Sequence, residues 1–547
     1  MKTSSFTKKH ALAAFAGVGI AAMVLTGCSA SDPADDPADT AGGGGDNVIL
    51  VGTTDTVTTL DPAGSYDNGS LAVQTQVFPY LFNTDYGNAE IQPDLAESAE
   101  FTAPTEYTVK IKPGLKWSNG HDLTASDVKF TFDRQLAIKA ENGPSSLLYN
   151  LESTDAPDDT TVVFHLKSEN DQVFQQILTS FPGAIVDEEV FSPTELTTDD
   201  DIVAGDAFGG PYKIDSYDFN QTVSMVPNEN YAGLLAPATN DGVILSYYAD
   251  SSNLKLDVQG GKIDVAYRSL SATDVEDLRG NDDLKVVDGP GGEIRYIVFN
   301  FDTQPYGAAT DDADADKALA VRTAVADLID RQAIATQVYK DTYTPLYSYV
   351  PEGFVGAIEP LKDLYGDKAG APDADAAAAA LEAAGIKTPV TLDLQYNPDH
   401  YGPSSGDEYA LVKSQLEESG LFTVNLQSTE WVQYSKDRTA DKYPAYQLGW
   451  FPDYSDADNY LTPFFLKENF LGNHYDNSEV DGLIREQAST VDPDARKAII
   501  EEIQTKVAED LSTIPLLQGA QIAVTGSDVS GATLDASFKF RFAPLTK

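Results

Sequence analysis

Apolar and polar positions alternate with a period of two over Tyr107, Val109 and Ile111, ahead of a Pro113-Gly114 turn, and again over Val162, Phe164 and Leu166. That period puts every second side chain on one face, which predicts two half-buried strands. Between them, Thr124 and Asp127 have the spacing of a capping box, and Val128, Phe132 and Leu136 fall on one face of the helix it would open. The block reads as a compact α+β unit.

The flanking segments follow the same logic. Asn47 to Thr58, rich in Val and Thr, predicts a strand, followed by an exposed loop through Leu60-Asp61-Pro62 and the turn cluster Asp67 to Gly69. Tyr212 to Asp218 and Val223 to Val226 read as strands joined by a Phe-Asn-Gln turn, and Ile244 to Tyr248 and Lys262 to Tyr267 add further strands around a helix near Asn253 to Gln259. Ile294 to Phe301 is nearly continuous in apolar residues, as in a strand covered on both faces. Beyond it the pattern turns helical over Arg322 to Tyr339 and over Ala374 to Ala384, where Gly385 is placed as a stop. Strands are expected at Val390 to Tyr396 and Thr423 to Gln427, with a helix at Glu408 to Glu418 between them. Asp492 followed by Pro493 marks the cap and first turn of a long helix to Leu511. Alternating β and α elements imply an α/β domain with a mainly parallel sheet.

The N-terminus carries a different pattern. Lys2, Lys8 and Lys9 precede an uncharged stretch from Ala11 to Val24, about 14 residues, too short to span a bilayer and of the length expected for an export signal. The chain's one cysteine, Cys28, closes this stretch behind Leu25-Thr26-Gly27, which resembles a bacterial lipobox. Residues 1–27 are thus expected as a lipoprotein signal peptide, and Cys28 as the acylated first residue, anchored by its lipid to the extracytoplasmic face of the cell membrane. Ser29 to Gly45 holds no large apolar residue and is expected as a disordered tether, so that residues 28–45 link lipid to folded body over about 20–25 Å.

With 42% hydrophobic residues in a 547-residue chain, the composition is that of a globular protein too long for one core. The formal net charge of −50 moves to about −53 once the three signal lysines are gone. A surface so acidic argues against nucleic acid as a partner, because like charges would have to be brought together.

Several stretches in order resemble the solute-binding proteins of ATP-binding-cassette importers, specifically the peptide/nickel family, family 5. They are Leu60-Asp61-Pro62, Val77 to Phe82, Gln92 to Ser98, Tyr107 to Gly120 continuing to Val128, Gly209 to Tyr212, Gly261 to Asp264, Val321 to Arg331 and Gly449 to Tyr454. The resemblance implies a periplasmic-binding-protein-like fold of two hinged α/β lobes with an extra α+β domain inserted in the first. On this chain, lobe I would take residues 46–72, 205–294 and 506–547, the inserted domain 73–204, and lobe II 295–505.

The same resemblance implies a non-enzymatic, monomeric receptor that holds a short peptide between its lobes and passes it to an ABC permease, without cofactor or resident metal. In peptide binders of the family an aspartate after a Gly-Trp pair takes the ligand's α-ammonium, a role that falls here on Asp453 in Gly449-Trp450-Phe451-Pro452-Asp453. The backbone of Gly449, Trp450 and Phe451 on one lobe and of Asp67, Asn68, Gly69 and Ser70 on the other is expected to pair with an extended peptide. Trp450, Trp431 and Tyr267 are candidate cleft walls, and Arg268 is a candidate for the ligand carboxylate. The alternatives within the family are an oligosaccharide or a nickel chelate.

Enzyme and metal readings have less behind them. Gly402 to Gly406 satisfies a Gly-x-Ser-x-Gly pattern around Ser404, with Asp453 and His474 downstream, but a nucleophile elbow follows directly on a strand and Asn397 to Tyr401 intervenes. The histidines are scattered, and the run Asp312, Asp314, Asp316 lacks the glycine and glutamate of a calcium loop.

Overall fold

The computed structural model describes residues 47–547 apart from positions 269, 403, 468, 535, 537 and 538. The signal, Cys28 and the tether to residue 45 lie outside the described residues.

Two large mixed sheets organise the chain. In the first, the strands run in the order Tyr212–Asp218, Thr222–Pro227, Gly242–Tyr247, Val48–Thr53, Val265–Tyr267, Gln521–Gly526 and Leu284–Gly289. Val48–Thr53 is parallel to both its neighbours, and the outer pairs are antiparallel. The second sheet runs Tyr343–Pro345, Thr513–Gly519, Ile294–Phe299, Ala445–Trp450, Val390–Tyr396 and Phe422–Ser428. All six residues of Ile294–Phe299 are buried, as its unbroken apolar pattern requires. Each sheet has a core of its own, one built on Ile49, Val51 and Tyr212, the other on Ile297, Tyr446 and Ile514.

The third unit is inserted after the first helix. Strands Ala96–Ala103, Glu106–Ile111, Thr161–Leu166 and Leu151–Asp158 form an antiparallel sheet, and helix Ala125–Ile138 packs Val128 and Phe132 into a core with Val109 and Phe164. The Thr124–Asp127 capping box is present in full. The fold is therefore two α/β lobes with an α+β insertion.

Four sequence-based expectations change. The large sheets are mixed, not mainly parallel, because two stretches of chain pass straight from one sheet to the other in opposite directions. Leu284–Gly289 continues through residues 290–293 into Ile294–Phe299, and Thr513–Gly519 continues through Ala520 into Gln521–Gly526, each antiparallel to the other. The second crossing thus falls at Ala520 and not near 505, since Thr513–Gly519 pairs with Ile294–Phe299 in the second sheet. At the crossing the backbones nearly touch: a Cβ on Gly291 would lie 2.0 Å from the Gly519 carbonyl oxygen, so only glycine fits.

The helix expected over Arg322 to Tyr339 is two helices, Ala315–Leu328 and Arg331–Gln337, the second capped by Asp330, whose carboxylate accepts the Ala333 N–H. Finally, Leu60-Asp61-Pro62 is not an exposed loop. Asp61 is 0% exposed and forms a bidentate pair with the buried Arg134, 2.8 Å from Nη1, while also accepting the N–H groups of Ala63 and Thr197. This pair ties the first lobe to the inserted unit.

Candidate functional site

Strand Ala445–Trp450 lies between Ile294–Phe299 and Val390–Tyr396, yet the latter pairs with it only at Ala445 and Tyr446. Gln447 to Trp450 therefore keep a ladder partner on one edge alone, with Gly449 opposite Arg295 and Trp450 opposite Ile294. Most of that side is covered: the Gln447 carbonyl accepts the Tyr434 hydroxyl at 2.7 Å, Gln447 and Leu448 are buried, and only Trp450 at the strand's end is partly exposed.

The loop that follows is pinned by one residue of helix Asp458–Phe465. Asn459 Oδ1 accepts the Trp450 indole N–H at 2.9 Å and the Asp453 backbone N–H at 2.8 Å, and its Nδ2 donates to Asp453 Oδ2 at 3.2 Å. The Trp450 ring is held edge-on by Phe464 and Phe470 at 5.3 and 5.5 Å. Asp453 is thereby presented in a fixed orientation.

Its other carboxylate oxygen, Oδ1, accepts the hydroxyl of Tyr66, which arrives from the first lobe. The Tyr66 ring is 39% exposed and meets Phe181 of the inserted unit edge-on at 4.8 Å. Burial pushes the Asp453 carboxyl above the ordinary carboxylate range, opposed by the hydrogen bonds from Tyr66 and Asn459. Among the described residues no lysine, arginine or histidine forms an ion pair with it.

The neighbouring aspartates are arranged differently. Asp456 is 8% exposed and is held bidentately by Arg496 at 2.8 and 2.6 Å, and Asp458 is 2% exposed and accepts from Tyr454, Thr462 and Gln487. Both are bound within the second lobe. Of the three, only Asp453 bonds a residue of the first lobe, and among the described residues neither it nor Asp458 has an ion-pair partner.

The other expected site residues divide. Asp67, Asn68, Gly69 and Ser70 do not form an open loop: Asp67 caps helix Asn68–Val77, accepting from the Ser70 N–H and hydroxyl at 2.8 and 2.9 Å, and Gly69 and Ser70 are buried in its first turn. A Cβ at Gly69 would lie 2.0 Å from the Thr56 carbonyl oxygen, so the start of this helix packs closely on that segment, while Asp67 and Asn68 stay partly exposed. Tyr267 is no open cleft wall either. It is 5% exposed and stacks on Phe540 at 4.5 Å, closing the first-lobe core. Trp431 is half-buried at the start of helix Trp431–Arg438, stacked on His400 at 3.8 Å. Phe451 is half-buried in the loop between Trp450 and Asp453.

Arg268 stands just after strand Val265–Tyr267 with φ +58° and pairs with Asp55 at 3.3 Å. It lines a cavity of about 150 Å³ at the crossing, shared with Gln521 from its own lobe, Glu293 of the crossing segment and Tyr343 from the other lobe. A larger cavity of about 470 Å³ separates the inserted unit from the second lobe between Tyr149, Asp171, Asp458 and Arg485. Sequence reasoning missed Tyr66 and Asn459. Asn459 lies six residues beyond Asp453, within reach of a loop-to-helix reading, whereas Tyr66 carries no local signal.

Among the described residues there is no group of three or more His, Asp or Glu able to hold a metal ion. Ser404 immediately precedes helix Ser405–Glu418, and His474 bonds Asp441 at 2.7 Å, so the serine-hydrolase constellation is not assembled from Asp453 and His474.

Residues 90–472 match the family model of the bacterial extracellular solute-binding proteins, family 5. The chain belongs to this family of ABC-importer binding proteins. It is similar to the dipeptide-binding protein DppE of Bacillus subtilis (strain 168), 23% identical over 545 residues that cover 94% of this chain and 95% of the relative. Among solved structures it shares its fold with HbpA2 from Haemophilus parasuis, with TM-score 0.78, 20% identity and 91% and 99% of the two chains covered. It also resembles DppA from Helicobacter pylori in complex with the peptide STSA, with TM-score 0.68, 18% identity and 91% and 98% coverage.

Proposed function

We propose that the chain captures short peptides between its two lobes and delivers them to an ABC permease, held at the extracytoplasmic face of the cell membrane by lipid on Cys28. The observation that carries the peptide reading is Asp453. A carboxylate held in place by Asn459, desolvated, and without a basic partner among the described residues is suited to a ligand that brings its own cation. A peptide's α-ammonium is such a cation, and Trp450, the partly exposed end of a strand that lacks a second ladder partner there, is where the peptide backbone that follows would pair. Main-chain pairing gives affinity with little regard to side chains, while the charge at Asp453 fixes the register.

The relatives support the choice: one is a dipeptide-binding protein and another was solved with a four-residue peptide. Lobe closure then needs only that the peptide bind better when both lobes touch it than when one does. Calorimetric titration of the purified chain with short peptides, malto-oligosaccharides and nickel–histidine separates the readings. Saturable heat with peptides alone is expected, and heat with a sugar or the metal chelate alone would replace the peptide assignment.

A further inference from the structure

We propose that the inserted unit and the second lobe share a latch that favours the closed arrangement whether or not a ligand is bound, with Gln172 and Ala488 as its contact. The backbone N–H of Gln172, in the inserted unit, donates to the backbone carbonyl of Ala488, in the second lobe, at 2.8 Å. Ala488 stands in the last turn of helix Ser478–Ser489, where carbonyls have no donor within the helix. The bond across the seam supplies one. Around it, Ala488 and Tyr454 of the second lobe pack on the hydrophobic core of the inserted unit.

Both sides of the seam are fixed within their own units. In the inserted unit, the buried Asp171 accepts the N–H groups of Val173 and Phe174 at 2.9 and 3.2 Å on Oδ1 and the Asn150 amide at 2.5 Å on Oδ2, which sets the turn that carries the Gln172 N–H. In the second lobe, Asp458 accepts from the Tyr454 hydroxyl and from Gln487, while Arg496 donates to the Gln487 carbonyl and side chain at 3.2 and 3.1 Å and pairs with Asp456. Asp456 and Asp458 thus orient the loop and the helix end that meet the inserted unit.

Tyr454 directly follows Asp453, so one loop touches the first lobe with one residue and the inserted unit with the next. A closed state stabilised at the seam leaves less for a ligand to do, and it raises apparent affinity by the same factor for every ligand that binds the closed state. The latch therefore does not depend on what the ligand is.

The test is hydrogen exchange read at single amides of the unliganded chain. An open seam leaves the Gln172 N–H to water, so a latched one should slow its exchange by about tenfold, the worth of one net hydrogen bond. Exchange at the rate of an unprotected amide overturns the latch. Ala488→Glu adds a carboxylate to the cavity that Glu169, Asp171 and Asp458 already line, and should return Gln172 to the unprotected rate. Val173 and Phe174, whose acceptor lies within the inserted unit, should stay slowed. A Gln172 amide that remains protected in the variant shows that its protection does not come from the seam and also overturns the latch. Should Val173 and Phe174 lose protection as well, the variant has disturbed the inserted unit and the wild-type rate decides. Adding trialanine to the wild-type chain should slow Gln172 further, and a protected Gln172 that does not respond to trialanine leaves the latch standing and counts against the peptide reading alone.

Discussion

Replacing Asp453 by asparagine separates a ligand site from a structural one, because the two roles predict opposite effects on the empty protein. The side chain keeps its shape, and an amide oxygen can still accept the Tyr66 hydroxyl. What is lost is the charge, together with one contact, since the new amide N–H₂ would face the Asn459 Nδ2 donor. If the ligand's ammonium sits on this carboxylate, the variant leaves a desolvated cation without its counter-charge, at a cost of about 2–5 kcal/mol, or roughly 30- to 4,000-fold in affinity.

Stability of the unliganded chain should move the other way. Burial raises the folded-state pKa of Asp453 above the ordinary aspartate range. A carboxyl raised in this manner favours folding when protonated and loses that contribution as pH climbs from the ordinary aspartate range through the folded value. At neutral pH the charged form therefore costs stability, and Asp453→Asn should melt at the same temperature as wild type or slightly above it. Calorimetric titration and a thermal melt of the two proteins together give the test. Unchanged affinity, or a lost affinity accompanied by an equal loss of melting temperature without ligand, would refute the reasoning.

Three further outcomes are expected. Asp61→Ala leaves the guanidinium of Arg134 buried and unpaired between the first lobe and the inserted unit, and should cost about 3–5 kcal/mol in urea unfolding; a loss below 1 kcal/mol would show that the pair is not needed. With a formal net charge of −50, self-repulsion opposes compaction, so the melting temperature should rise as sodium chloride is raised from low concentration to about 1 M, and a flat profile would count against a net electrostatic penalty. Cys28→Ala should abolish incorporation of labelled lipid and release the protein from the membrane or leave it as an uncleaved precursor; normal labelling would refute the anchor.

The elements written most plainly in the sequence are those whose hydrogen bonds close locally. Thr124 with Asp127, and Asp492 with Pro493, mark helix starts because the capping groups lie within three residues of each other. Asp67 uses the same device, yet the glycine and asparagine after it imitate a turn, and the helix it caps is buried along most of its length and so lacks an amphipathic stripe. The second crossing at Ala520 was hidden for another reason. Thr513–Gly519 and Gln521–Gly526 are both buried strands separated by one residue, and only their partners, Ile294–Phe299 and Leu284–Gly289, assign them to different sheets.

The candidate site divides the same way. Asp453 was legible from its distance to Gly449 and Trp450 within a resemblance that spans the chain, and Asp456 and Asp458 could be told from it only once their partners Arg496, Tyr454, Thr462 and Gln487 were in place. Tyr66 lies 387 positions from the carboxylate it bonds, a separation that no local pattern reports.

The claim that this family 5 protein is a peptide receptor is tested most directly by mass spectrometry of the ligand released on denaturing the protein purified from its native membrane, wild type beside Asp453→Asn. Short peptides with free amino termini are predicted from wild type and their depletion from the variant. A sugar or a metal chelate in their place, or the same peptides retained equally by both proteins, would contradict it.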